Sequence, residues 1–465
     1  MGLAMTMMMA GWLAVGVVAV QDGKVIEQVH LSYTNTSSAK VVEWVAPTNS
    51  CQLCYNISNK PKIGSTYSAV MDQLPLNGTV SYTITCGNDT RVFDFINEPQ
   101  HDNGSRIVFL ADFGLDNDVS METLLQLAAA DAVDALILGG DFAYDFKDNH
   151  SAVGNAFMNT LEPFVSRKPF MPAPGNHEAH DGSFQQYTRR FEGVARNIGK
   201  HSHSNSNFYY SYDVGLIHFI AIDTEVGQLV GFFEKLDMKQ VYEWYNETQA
   251  SIYPFQPEEQ LQWLEADLQR ATANRDVVPW IIMYGHKGWH MDYQPDKHND
   301  LKPQLVTNFT GFTRLAEQYQ VDLMLCGHLH IYQRFFPLLG PAVHAPYQPP
   351  QEVERDCVDG NIYRNCRHMT TIVAGSPGDQ ELSVEGMCVG EDVVAPNIVG
   401  TMARCSANYG FGVLNAVNHT HLQWRWQETG PRSPLMEHLP TLPHSPEVDE
   451  IWLVQDARTA SGRRA

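Results

Sequence analysis

The chain is 465 residues long, more than one hydrophobic core usually holds, so two domains are expected. Its 43% hydrophobic and 18% charged residues, with 34 Gly and 25 Pro, exclude a fibrous, collagen-like or wholly disordered protein. A formal net charge of −22 with no long basic run argues against nucleic acid as a partner, although bound cations could still draw in an anionic substrate.

Residues 1–20 carry an uncharged apolar run, Leu3 to Val20, followed by polar Gln21-Asp22-Gly23. It reads as a secretory signal peptide cleaved near Ala19 or Val20. Because no Lys or Arg precedes the run, an uncleaved membrane anchor is the alternative; after cleavage no stable membrane span is expected. Sequons at Asn35, Asn56, Asn77, Asn88, Asn103, Asn149, Asn246, Asn308 and Asn418 suit N-linked glycans on a secreted or vacuolar/lysosomal protein. Among eight cysteines, a disulfide is expected from Cys51 or Cys54 to Cys86, and two among Cys357, Cys366, Cys388 and Cys405. Cys326 lies in an apolar run and reads as a buried free thiol.

Residues 21–98 show short β-type runs separated by Asn, Gly, Pro and Ser. Val29, Leu31 and Tyr33 alternate with polar neighbours, so a small all-β sandwich with one buried face per strand is expected. The polar stretch Asn97–Gly104 reads as a linker. Residues 99–455 change character. Apolar runs ending in Asp or His (Arg106–Asp112, Ala135–Asp141, Gly215–Asp223, Val278–His286, Val321–His328) alternate with helical patterns such as Met121–Ala132 and Glu258–Ala271. That alternation predicts an α/β domain with functional groups at the carboxyl ends of its strands. Residues 341–455 form a C-terminal section with further strands, and residues 456–465 read as a disordered tail.

Five short segments carry metal-ligand side chains: Asp112-Phe-Gly114, Gly140-Asp141-Phe-Ala-Tyr144, Gly175-Asn176-His177-Glu178, Gly285-His286 and Gly327-His328-Leu-His330. Alone, each Asp is more simply a cap or turn residue and each His a hydrogen-bonded core residue. Together Asp112, Asp141, Tyr144, Asn176, His286, His328 and His330 are too many ligands for one ion but suit two sharing a carboxylate. Oxygen and imidazole donors without thiolate favour iron, zinc or manganese. On an extended backbone, His328 and His330 would point to one side and reach adjacent metals.

In this order the segments resemble the purple acid phosphatases of the calcineurin-like metallophosphoesterase superfamily. Gly114 stands where many superfamily members carry His, and Tyr144 is placed to take up the vacated coordination site. Asn207–Glu225, Gly375–Glu381, Tyr409–Trp424 and Asp449–Val454 resemble further family stretches, the last of them the animal-type branch. The resemblance implies two mixed β-sheets flanked by helices, preceded by a fibronectin-III-like sandwich. It also implies Fe(III) held by Asp112, Asp141, Tyr144 and His330, and a divalent Zn, Mn or Fe held by the shared Asp141 with Asn176, His286 and His328. Metal-bound hydroxide would attack phosphate monoesters at acid pH. Asn176, His177 and a second histidine would contact substrate. That second histidine is His298, favoured on spacing, or His290. Glu178 is expected to be a supporting or capping carboxylate. A dimetal phosphodiesterase or nucleotide pyrophosphatase on the same fold is the alternative, and a catalytically silent cell-surface binding protein is the alternative of another class.

Overall fold

The computed structural model describes residues 26–46, 51–55, 58–62, 66–97, 104–179, 184–225, 257–288, 290, 304–340, 352–381, 401–431 and 449–456. The apolar N-terminal run, His298, Cys388 and the C-terminal tail beyond 456 lie outside the described residues.

The N-terminal strands form two antiparallel sheets. One has the order Glu27–Tyr33, Lys40–Val45, Thr66–Met71; the other has the order Ser58–Lys62, Cys51–Tyr55, Thr79–Cys86, Asp89–Ile96. Thr79–Cys86 alternates buried and partly exposed residues, as a strand with one wet face must. Val29, Leu31, Trp44, Tyr82 and Ile84 fill the core between the sheets. Cys51 and Cys86 are directly opposed across neighbouring strands and are joined in a disulfide.

The first strand departs from the one-face expectation: Gln28, His30 and Ser32 are buried as well. Their face packs on the helix Asp148–Val165 and the strand Phe170–Ala173 of the following domain. There Glu162 accepts the Val29 N–H at 3.0 Å and is paired with Arg91, while Glu43 accepts the Gly193 N–H at 2.6 Å. Buried polar groups need such partners, so the contact between sandwich and second domain is specified by hydrogen bonds as well as by packing.

The rest of the chain folds around two mixed sheets. Sheet I has eight strands. Phe170–Ala173, Ala135–Gly139 and Arg106–Leu110 run parallel; then come Tyr409–Asn418, His421–Gly430, Glu450–Val454, Ile362–Arg364 and Val358–Asp359. Sheet II has seven strands in the order Tyr210–Val214, Ile217–Ala221, Trp280–Tyr284, Leu323–Cys326, Thr370–Ala374, Tyr332–Phe335, Met402–Ser406. The second to fifth of these are parallel. The continuous apolar runs read from sequence are these parallel strands, fully buried on both faces, for example Trp280–Tyr284 and Leu323–Cys326. One hydrophobic core joins both sheets, from Ile107 and Leu136 in sheet I to Ile282 and Leu325 in sheet II. The predicted helices appear as Met121–Ala129 and Pro257–Ala273. Cys357 pairs with Cys366, Cys405 is also disulfide-bonded, and Cys326 is a buried free thiol as expected.

Candidate metal centre

The parallel strands of both sheets end at one place. Asp112 and Asp141 each lie two residues beyond a sheet I strand, Asn176 lies three beyond another, and His286 and His328 lie two beyond sheet II strands. Strand geometry ends before each ligand, and the backbone turns sharply there. Asp112, Asp141, Tyr144 and His328 take φ of 61°, 57°, 47° and 70°, a left-handed region that L-residues occupy mainly where surrounding structure holds them. Gly140 precedes Asp141 at φ 94°, and a Cβ there would lie 2.6 Å from the His286 ring. The glycine lets backbone and imidazole share the space.

All seven expected ligands converge, in two groups. In the first, the Tyr144 hydroxyl lies 2.9 Å from His330 Nε2 and 3.3 Å from Asp112 Oδ1. In the second, His286 Nε2 lies 3.1 Å from Asp141 Oδ2 and 3.1 Å from Asn176 Oδ1, and His328 adds a donor so that the Asp141, His286 and His328 ligand atoms fall within 4.8 Å of one another. His286 Nε2 is also 4.0 Å from Asp112 Oδ1, which ties the groups together. Donors bound to one ion at about 2.1 Å stand about 3 Å apart, so this set fits a pair of cations. The extended backbone expected for 328–330 is not found. Residues 328–331 are bends and His328 sits at positive φ, yet the two rings still reach the two adjacent groups, as expected.

The electrostatics point the same way. Burial raises the Asp112 carboxyl against the pull of His286 and His330. Burial would raise Asp141 too, but His286 and His177 outweigh it and hold that carboxyl far below its ordinary range. Burial would lower His286, yet Asp141 and Asp112 bring it to about 9. Burial, Asp112 and Asp141 push the Tyr144 phenol well above its ordinary range.

Glu178 caps the site from beneath. Its two oxygens accept the backbone N–H groups of Gly175, Asp141 and Phe142 at 2.8, 2.9 and 2.9 Å. Burial and Asp141 bring its carboxyl to about 8 against those donors. His177 flanks the centre without joining either group. Its Nδ1 meets Asp145 Oδ1 at 2.5 Å, and its Nε2 faces Glu381 Oε1 at 3.5 Å. Burial would lower it, but Asp145, Asp141 and Glu381 bring it to about 9. His290 does not face the centre: it is fully buried, with Nδ1 on Thr371 Oγ1 and Nε2 on the Gly340 carbonyl, both at 2.7 Å. Burial pushes it down to about 4. Both ring nitrogens are occupied, so His290 is a core histidine and not a substrate contact.

Three groups at the centre escaped the sequence reading: Asp145, Glu381 and the buried pair Lys287–Glu225, 2.7 Å apart beside His286. Asp145 directly follows the Gly140–Tyr144 segment and Lys287 follows His286, so adjacency to a ligand is the signal that could have found them.

Residues 105–332 match the family model of the calcineurin-like phosphoesterases, and residues 369–433 match that of the iron/zinc purple acid phosphatase-like protein C-terminal segment. The chain carries a calcineurin-like phosphoesterase domain followed by a purple acid phosphatase-type C-terminal segment. Among similar purple acid phosphatases and relatives, acid phosphatase type 7 of Homo sapiens is 27% identical over 364 residues, covering 77% of this chain and 69% of its own. Probable purple acid phosphatase 20 of Arabidopsis thaliana is 26% identical over 395 residues, covering 82% of this chain and 72% of its own. A purple acid phosphatase from yellow lupin seeds shares the fold with a TM-score of 0.61 at 16% identity, covering 92% of this chain and 74% of that one.

Proposed function

We propose that this chain is a purple acid phosphatase that hydrolyses small phosphate monoesters at acid pH, using Fe(III) and a divalent Zn, Mn or Fe ion. The single observation carrying the proposal is the Tyr144 hydroxyl within 3.3 Å of both Asp112 and His330, a phenol, carboxylate and imidazole set whose oxygens suit a hard trivalent cation. On this reading Asp112, Tyr144 and His330 hold iron, Asn176, His286 and His328 hold the divalent ion, and Asp141 serves both. When bound, the metals supply Lewis acidity and activate water as nucleophile.

The remaining work falls to the chain. Asn176 and His177 bound the space next to the metal groups and suit a phosphoryl oxygen. Asp145 fixes the His177 ring from Nδ1, so Nε2 is the nitrogen that donates to substrate and protonates the departing alcohol or phenol. Glu178 keeps Asp141 and its turn in place. His298 is retained as the second substrate-contacting histidine.

The chain divides, on this reading, into a signal peptide at 1–20, a fibronectin-III-like sandwich at 21–98, the catalytic domain at 99–455 and a tail at 456–465. Among the described residues no helix is long and apolar enough to cross a membrane. The sequon asparagines Asn35, Asn77, Asn88, Asn149 and Asn418 are exposed, which supports glycosylation on passage through the secretory pathway to the outside or to a vacuolar or lysosomal lumen.

Parallel assays of an aryl phosphate, nucleotides and an aryl phosphodiester test the substrate class. The monoester is expected to dominate below neutral pH; dominant diester turnover would reject the assignment in favour of a phosphodiesterase.

A further inference from the structure

His330 is a two-ended ring. Its Nε2 faces Tyr144 and Asp112, so its Nδ1 is left to donate elsewhere, and Asp379 Oδ2 lies 3.2 Å from it. Asp379 is 99% buried and firmly held. Its Oδ1 accepts the Glu381 N–H at 2.8 Å, and its carbonyl accepts from Asn117 Nδ2 at 2.8 Å. The segment carrying it is laced to the first ligand motif: the Gly114 N–H donates to the Gly378 carbonyl at 2.9 Å. A Cβ at 114 would come 2.8 Å from the Asp379 Cα and 2.6 Å from Gln380 Oε1. The space that a side chain at 114 would take is therefore filled by the segment that carries Asp379.

We propose that Asp379 is a positioning residue of the metal centre, fixing His330 as an Nε2 donor and strengthening it through the Nδ1–H···carboxylate bond. A carboxylate behind a ligating imidazole sets its tautomer and orientation and raises its basicity. Removing the charge makes His330 a weaker donor, which leaves the neighbouring cation more electron-poor. Charge transfer from the Tyr144 phenolate then costs less energy, and the visible band moves to longer wavelength. The spectral part of this inference rests on the iron–tyrosinate reading above; the metal-retention part does not.

The test compares full-length wild type with Asp379→Asn, a near-isosteric change, as purified holoenzymes of equal thermal stability and circular dichroism. Metal release into a chelator is followed with the visible spectrum. Asp379→Asn is expected to release the metal held with His330 about 10–100-fold faster and to shift the band to longer wavelength. Asn117→Ala loosens the segment from outside the site and is the second variant should Asp379→Asn misfold; a smaller acceleration in the same direction is expected. If wild type proves colourless, the iron–tyrosinate reading fails, and release of whichever metals are bound still decides the role of Asp379. Release kinetics unchanged from wild type in the folded variant would overturn the proposal.

Discussion

His177 shows how position and charge make one side chain functional. The Asp145 carboxylate holds its Nδ1, while Asp141 and Glu381 add negative charge around the ring, bringing it to about 9 against the cost of burial. On the proposed reading, a histidine so held donates its proton to the leaving group. His177→Gln is expected to lower kcat about 10²–10⁴-fold for alkyl phosphates, much less for an activated aryl phosphate, with metal content unchanged. Equal losses on both substrates would assign His177 to binding alone. Its place beside Asn176 was legible in the sequence, but Glu381, some 200 residues away, was not. His290 shows the reverse: its place in the stretch after His286 offered it as the alternative to His298, and only the long-range approach of Thr371 and Gly340 reveals that its ring is spoken for.

At the scale of elements, the strand ends carry the site and the turns after them are crowded. Gly175 joins the strand Phe170–Ala173 to the short helix Asn176–Ala179, and a Cβ there would fall 2.2 Å from Asp141 Oδ1. Gly175→Ala is therefore expected to displace Asp141 and to lower metal content to one ion or fewer per chain while circular dichroism stays native; two retained metals would refute this. These strands were readable because burial on both faces leaves an uninterrupted apolar run before each ligand. Strand order was not, since it depends on crossovers that bring Leu138 beside Leu110 and Gly412 beside Phe109. Away from the site, His218 on the strand Ile217–Ala221 lies between Asp213 at 2.6 Å and Asp267 at 2.9 Å, with Arg270 on Asp267. Burial would lower it, but Asp267 and Asp213 raise it from 6.5 to about 9. A raised histidine stabilises the fold fully below its unfolded value, and that stability is lost as pH climbs from 6.5 through about 9. Denaturant unfolding should show His218→Gln costing about 1–3 kcal/mol at pH 6 and little above pH 9.5. A difference independent of pH would contradict the charged pair.

For the whole molecule, sandwich and catalytic domain are joined by groups that look like surface residues in a sequence: Gln28, Glu43, Arg91 and Glu162. Alternation in Glu27–Tyr33 assigned one face to the sandwich core, but nothing local marks the polar face as an interface, because its partners lie about 130 residues on. The metal centre was more legible than this contact, since ligand chemistry restricts residue type where docking does not. The most direct test is a metal analysis and visible spectrum of purified wild type beside Tyr144→Phe. Two metals per chain including iron, and a visible band absent from the folded variant, are expected. An active wild type with no iron and no visible band would contradict the account and leave a colourless dinuclear phosphoesterase.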